Sequence, residues 1–584
     1  MSASEVHELA CKALEDQKAL LVSLGLAPNF ASKSLTALSS LGAEGKFSGN
    51  MRRDLLSRLG DPPVPEPSLV RTPMKIDKPA TGQPAVQEVE VSVFLPHEML
   101  AYLYTHERFD FNQKMFSGDA SSVSAFWTEL ERRRDPRLAG HPMLSKRSWR
   151  QHSIPISWHV DGIACIASGK PAAKVFDINS WASVLGTGAS LEVKLYCFGI
   201  MADNIKDEHS LFPIWRRVMW SLHWAFEGKW PTHDEDGRMY KAGTPEGDKA
   251  GTPLAGGYFL TLFLLKQDLD HLARDYHLAD YRSNRPCELC PCHKDPGDWP
   301  MCFNNFSDSA KWMTSCYSAA EWNSANTSPH YLLQDAHMTC HNVEPDEAHV
   351  LHLGVGQYCL GSVLWMMVYA CDSLKGTPAQ NIERIWEEVR KDYKRGAVGT
   401  QMTNIKLKTF HNPEKFDDEY PRLKSKAAEC KDLVGPVRRA WDLFRNPADK
   451  DHSIISRMLR QLEDMQKILS DNSKLAILPL AEAHKLRKLV NGFLKDYSLC
   501  ANAADREKVC LFSVVPKHHW LWHLGQRAEF VNPRKSCCLL DESYIGQFKH
   551  VVAACSHGNA SHNIQNKVAE QYRYGFFITC RYGL

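Results

Sequence analysis

The stretch Ile154-Pro155-Ile156-Ser157-Trp158-His159-Val160-Asp161-Gly162-Ile163-Ala164-Cys165-Ile166 decides how this chain is read. Its apolar and β-branched residues recur at alternate positions, the pattern of a half-buried strand. One acid, Asp161, interrupts the pattern, and a glycine follows at once. A carboxylate inside such a strand is costly to bury unless it holds a cation or a paired charge. Asp161 is therefore either a metal ligand on a sheet or an acid at a hairpin tip.

Two further strand candidates follow at short separations, Ala173 to Asp177 and Leu191 to Ile200. That spacing suits antiparallel neighbours. A Trp-rich helix (Ile214 to Phe226) and a loop rich in Gly, Pro and Asp (228–257) lead to a continuous apolar run, Tyr258 to Leu265. Such a run fits a strand buried on both faces. It exits into Lys266-Gln267-Asp268-Leu269-Asp270-His271, where a helix begins. Antiparallel strands, then a buried strand with an acid at its exit, describe a mixed α/β sheet with helices packed over it.

The flanking regions divide the chain. Short amphipathic helices from about Ser4 to Leu59 form a small helical N-terminal module, 1–60. Prolines at 62, 63, 65, 67, 73, 79 and 84 make 61–88 a linker. Val89 to Pro96 opens the main body. The pattern from Gly376 to about Phe530 is helical almost throughout, as in Ile382 to Arg390, Ser453 to Leu469 and Ala481 to Tyr497. Between Val350 and Cys371 no Asp, Glu, Lys or Arg occurs, but His352, Gln357, Ser362 and three glycines interrupt the run. It reads as a buried core helix and not as a membrane span. The polar, acid-bearing start, Met1 to Gln17, is unlike a signal peptide.

Across 584 residues the formal net charge is only +2, which excludes gross basicity as a means of binding nucleic acid; contacts must come from local patches. The 18 cysteines are too dilute for a small disulfide scaffold. They cluster once, at Cys287-Glu288-Leu289-Cys290, with Cys292 and His293 beside it. Two thiolates at that spacing grip one zinc ion, which takes four ligands. The other pair is expected among Cys302, His330, His337, Cys340 and His341. Further on, Asp346 and His349 lie three apart at a helix start and share a face. Asp541 and Glu542 begin a late amphipathic helix, where negative charge is favoured.

Singly these signals are weak, but their order is specific. His159-Val160-Asp161-Gly162, the exit Lys266 to Asp270, a CxxC, Pro345-Asp346-x-x-His349 before Leu353-Gly354-Val355, and Asp541-Glu542-Ser543-Tyr544-Ile545-Gly546 succeed one another. Over about residues 90 to 575 this series resembles the RNase H-like DDE transposases of the CACTA and Plavaka (KDZ-like) kind, including degenerate copies in protist genomes. The resemblance implies an RNase H-like mixed sheet flanked by helices, its core split into 89–345 and 531–584 by an all-α insertion, 346–530. It implies Asp161, Asp268 and Glu542 as catalytic acids, with Asp346 and His349 supporting them and Cys287 and Cys290 as the family's CxxC. Val160 and Gln267 stand where a small residue is common, which makes Asp270 a rival of Asp268. Asp541 is likewise a rival of Glu542.

The chemistry implied is Mg²⁺-dependent hydrolysis and transesterification of DNA phosphodiesters. Two ions about 3.5–4 Å apart can stabilise attacking and leaving oxygens. Mg²⁺ favours hard oxygen ligands, so carboxylates on rigid elements suffice, with Asp161 bridging the ions. The implied partners are double-stranded DNA at transposon ends and a second copy of the chain, without a membrane, and the implied compartment is the nucleus. Two alternatives remain: a domesticated or decayed copy that binds DNA without cutting, and a zinc-stabilised interaction protein whose acids are structural.

Overall fold

The computed structural model describes residues 3–23, 61–76, 85–165, 174–325, 330–334, 337–396, 399–415, 418–556 and 559–582, with isolated positions between 36 and 57. Much of the expected N-terminal module therefore lies outside the described residues. Its described portion includes the helix Ala3–Ser23.

The expected linker is in fact partly a hairpin. Strand β1 (Ser68–Ile76) pairs antiparallel with β2 (Ala85–Val93) over their full lengths. Proline removes one ladder donor, and the sequence reading overweighted that at Pro73. Here Pro73 sits opposite Glu88 in a two-stranded sheet, where each strand is an edge and one lost hydrogen bond is tolerated.

The main sheet has five strands: β3 (Ser153–Cys165), β4 (Lys174–Ser183), β5 (Leu195–Met201), β6 (Phe259–Gln267) and β7 (Val343–Pro345), in the order β5-β4-β3-β6-β7. The β5-β4-β3 half is antiparallel, and β6 and β7 extend it in parallel. The continuous apolar run 258–265 becomes β6, flanked by strands on both sides, as its composition demands. The start of the expected third strand, Leu191, lies instead in a short helix, Ser190–Val193. Three-residue β7 is too short to leave a periodic signal.

Helices surround the sheet. Those that matter below are α1 (Pro96–His106), α2 (Glu208–Glu227), α3 (Leu269–Arg274), α4 (Gln357–Tyr369), α5 (Pro516–Arg527), α6 (Leu539–Ser556) and α7 (Ile564–Tyr582). Helix α6 packs on β3, α7 on β5 and β2, and α2 on β6 and β1. Helix α4 is entered through a π-helical stretch, Ala348–Gly356, which the sequence did not announce. The segment Ala348–Tyr369 is apolar and long enough to cross a membrane, yet 83% of its most apolar window is buried inside the protein. It is a core helix, as expected. The helical block between α4 and α5 contains Pro378–Arg395, Ala427–Phe444, Lys450–Asp471 and Leu480–Arg506.

Gly199 on β5 shows how tightly the antiparallel half is packed. A methyl group there would meet Phe176 Cε1 at 2.3 Å, and Phe176 is fully buried. Overpacking of this kind costs about 1–3 kcal/mol. Gly199→Ala is expected to lower the urea midpoint accordingly; an unchanged midpoint would mean that the Phe176 ring can step aside.

Candidate functional site: an acid crevice and a Cys/His cluster

Strand pairing places the acids. Parallel pairing of β3 with β6 ends at Trp158 opposite Leu265. Asp161 lies three residues past that pair on β3, and Asp268 lies three past it on β6. Strand β7 ends at Pro345 opposite Gln267, so Asp346 and Asp268 are the next residues on their two chains. Asp268 and Asp346 thus leave adjacent parallel strands at their carboxyl ends, where open α/β sheets form crevices. Asp161 stands beside them on the part of β3 that has run past β6 and stays paired with β4, opposite Ile178.

His271 links the first two. Asp268 caps α3, its Oδ1 accepting the His271 N–H at 2.7 Å. The ring of His271 places Nε2 3.4 Å from Asp161 Oδ1 and Nδ1 2.5 Å from Asp275 Oδ2. Burial opposes charge on this ring, but the Asp161 and Asp275 carboxylates outweigh it and raise its pKa to about 10. His271 is therefore an imidazolium at neutral pH. A further acid, Asp177 on β4, faces Gly162 across the ladder, with its pKa raised to about 6 by burial and then by Asp275.

Glu542 approaches from α6. Its side chain is 42% exposed, and its Oε1 lies 3.8 Å from His349 Nε2. Burial raises its pKa, and the carboxylates of Asp346, Asp161 and Asp268 add to the rise while His349 opposes it. Glu542 therefore lies within electrostatic reach of Asp161 and Asp268. Asp346 does not join them as a free ligand. Its Oδ1 accepts the N–H groups of Ala348 and Cys538 at 3.0 and 2.9 Å, and Oδ2 holds His349 Nδ1. Burial opposes a charge on His349, but Asp346 raises its pKa above the ordinary value. Asp346 positions His349, and His349 faces Glu542.

Both rival acids are accounted for. Asp270 points outward, bound by Arg282 and by the Tyr281 hydroxyl at 3.2 Å. Asp541 is sealed from solvent between Lys194 and Lys266, the latter at 2.7 Å, with His159 Nδ1 at 3.7 Å. Burial pushes both lysines below their ordinary pKa. His159, Cys538 and Asp541 are close enough to hold a metal ion, but the Lys194 and Lys266 side chains already meet that carboxylate. Asp541 anchors α6, which leaves Glu542 turned toward the crevice. Removing one member of a buried ion cluster costs about 3–5 kcal/mol. Asp541→Asn is expected to lose stability on that scale, whereas half-exposed Glu542→Gln should change it by less than about 1 kcal/mol. Urea denaturation of the two variants checks the contrast.

The CxxC finds its partners elsewhere than expected. Cys287, Cys290, His519 and His523 are all buried, and their ligand atoms lie within 4.8 Å of one another. Cys287 Sγ is 3.4 Å from His523 Nε2, Cys290 Sγ is 3.2 Å from His519 Nε2, and the two Nε2 atoms are 3.1 Å apart. A tetrahedral zinc site with bonds near 2.3 and 2.0–2.1 Å spaces its ligands by about 3.3–3.8 Å. The residues fit a metal such as zinc. His519 Nδ1 lies 3.1 Å from the Phe303 carbonyl, which fixes its tautomer with Nε2 toward the cluster. Two thiolates would neutralise a divalent ion in this dry pocket.

None of the five residues expected to complete the set does so. Cys302 donates to Asn304, Cys340 to the Tyr317 carbonyl, and the rings of His330 and His337 pack on aromatic neighbours. His341 borders the cavity next to Arg527. The missed signal was His519-Trp520-Leu521-Trp522-His523, an i, i+4 histidine pair on one face of α5, 229 residues beyond Cys290. Cys292 Sγ also comes within 3.5 Å of His519 Nε2. His523→Ala is expected to lose one bound zinc equivalent by elemental mass spectrometry and to lower the thermal midpoint, while Cys292→Ser keeps the zinc. Equal zinc content in wild type and His523→Ala would remove His523 from the set.

Comparison with protein-family models and with curated proteins returns no match.

Proposed function

We propose that this chain is a transposase-derived nuclease and strand transferase with an RNase H-like fold, acting on DNA phosphodiesters. The observation that carries the proposal is the placement of Asp161 and Asp268 at matched positions past the end of one parallel strand pair, with Glu542 turned toward them. The strand order and the antiparallel-then-parallel halves support the fold reading. Two Mg²⁺ ions, when bound, supply Lewis acidity and an activated water.

The chain's own residues do the rest. Asp161, Asp268 and Glu542 offer hard oxygen ligands from two strand ends and a helix. Asp541, locked between lysines, fixes the helix that carries Glu542. His349, oriented by Asp346, turns Nε2 toward Glu542 and toward the place of a phosphate oxygen beside it. Lys517 on α5 adds positive charge nearby: burial and then Arg422 lower its pKa, while Asp268 and Asp346 oppose that shift. On this reading the partner is double-stranded DNA at element ends, bound by more than one copy of the chain in the nucleus.

A second reading, DNA binding without cleavage, is favoured by His271. Its Nε2 lies 3.4 Å from Asp161 Oδ1, where a catalytic ion would need that carboxylate. Nicking of element-end DNA by the full chain separates the two. Cleavage with Mg²⁺ that falls by about 100-fold or more in Asp161→Ala, Asp268→Ala and Glu542→Ala is expected for groups that hold a catalytic charge, with Asp270→Ala near wild type. A lesser loss in His349→Ala is expected of a positioning role. Duplex binding with no cleavage in Mg²⁺ or Mn²⁺ would select the second reading.

A further inference from the structure

We propose that the cavity enclosed by α1, α2 and the loop 228–257 binds a weakly hydrated organic cation, a methylated ammonium or guanidinium group on a polypeptide side chain. The cavity measures about 670 Å³ and shares no lining residue with the acid crevice or the Cys/His cluster. The proposal does not rest on the transposase reading.

The walls are aromatic. Trp220, Trp230, Tyr102 and Tyr240 line the space. His97 stands edge-on to both indoles, its ring 5.2 Å from Trp220 and 5.8 Å from Trp230. Its Nδ1 meets Ser221 Oγ at 2.8 Å, and burial lowers its pKa to about 3, so it stays neutral. The Trp220 indole N–H donates to the His233 carbonyl at 3.1 Å, which holds that ring in place.

The charge is acidic. Glu66, Glu98 and Glu246 line the space with one ammonium, Lys249; Glu66 also meets Arg573 at 3.7 Å, and Arg217 acts on Glu98 from outside the lining. Glu98 is half-buried on α1, and among the described residues no hydrogen bond or ion pair holds its carboxylate. Burial raises its pKa to about 7, with Lys249 and Arg217 opposing. A ligand cation would give this carboxylate the partner the protein does not supply. A phosphate would meet the Glu98 and Glu246 carboxylates, and an uncharged apolar guest would leave Glu98 unpaired.

Lys249 shows what the walls accept. Its Nζ lies 4.9 Å from the centroid of the Trp230 ring, within range of an aromatic face that attracts cations. Aromatic walls favour cations that shed water readily, such as methylated ammonium and guanidinium groups, over a hydrated primary ammonium. Lys249 is thus a weak internal occupant that a better cation displaces. The volume exceeds what a headgroup alone requires and leaves room for an aliphatic stem and adjoining main chain along Pro63, Pro65 and Pro231.

Calorimetric titration of the full chain tests this with N-acetyl-trimethyllysine methylamide, N-acetyl-arginine methylamide and the uncharged tert-butyl isostere of the first. Saturable binding of a cationic probe, about tenfold or more tighter than the isostere, is expected from the aromatic and carboxylate contributions. Trp230→Ala should weaken it by about tenfold and Glu98→Gln by several-fold, while Lys249→Met should tighten it by removing the competitor. Trp230→Ala is interpreted only with an unchanged circular dichroism spectrum. Glu98→Gln and the solvent-facing Lys249→Met carry the test if it misfolds. Isostere binding equal to the cations, Lys249→Met binding no tighter than wild type, or no saturable heat from folded protein would each overturn the proposal.

Discussion

The parallel pairing of β3, β6 and β7 ends within two residues along β6, at Leu265 against β3 and at Gln267 against β7, and the rest of the site depends on that. While two strands stay paired, their side chains are committed to the sheet's faces. Pairing between β3 and β6 ends at Trp158 and Leu265. Strand β3 goes on along β4 with Asp161 opposite Ile178, β6 goes on to Gln267 beside β7, and His271, whose N–H Asp268 caps, bridges the gap to Asp161. The third exit, at Pro345, delivers Asp346 beside Asp268. Burial first, and then the neighbouring carboxylates, raise the pKa of Glu542 and of Asp177. The structure sets two histidines against these acids, His271 against Asp161 and His349 against Asp346, and their neighbouring carboxylates raise the pKa of both rings. Cations held at the crevice would meet the same acids.

The second constraint is the return of the chain. Glu542 lies hundreds of residues from Asp161, and a long helical block separates it from β7. Residues 533–538 dock where β7 ends: Arg534 pairs with Glu347 at 2.8 Å, Ser536 Oγ donates to the Pro345 carbonyl at 2.7 Å, and the Cys538 N–H reaches Asp346. Asp541 then locks the first turn of α6 between Lys194 and Lys266. Neighbouring acids in one dipeptide therefore have opposite environments: one is neutralised inside the protein, and the other is turned toward the crevice.

Much of this was legible in the sequence where a local pattern carried it. Alternation around Asp161 gave β3, and the unbroken apolar run gave β6 together with the acid at its exit. The 350–371 run was correctly read as a core helix because its polar interruptions suit packing against protein. Other features left no local trace. Strand β7 is held by its neighbour β6, not by its own three residues. The hairpin through Pro73 survives because a two-stranded sheet is all edge. The choice between Asp541 and Glu542 depends on lysines that arrive from β6 and from the turn before β5. His519 and His523 were readable as a metal-type pair, but their link to Cys287 and Cys290 spans more than two hundred residues, and nearer thiols and imidazoles competed for it.

Helix α5 joins the two parts of the site. On a 3.6-residue helix, His519 and His523 share a face, while Lys517, two residues before His519, projects from nearly the opposite one. The histidines meet Cys287 and Cys290 in the loop that follows β6 and α3. The stem of Lys517 runs past Gly354, where an added methyl group would come within 2.5 Å of Lys517 Cδ. From there its charge is felt by Asp268 and Asp346. Arg527, at the far end of the same helix, binds the carbonyls of Val343 and Cys340 at the start of β7. One rigid element is thus fixed at the Cys/His cluster and at β7 while presenting a lysine toward the acids. A metal in the cluster would then do more than add stability: by holding α5 in register with the sheet, it would set where positive charge stands beside the crevice.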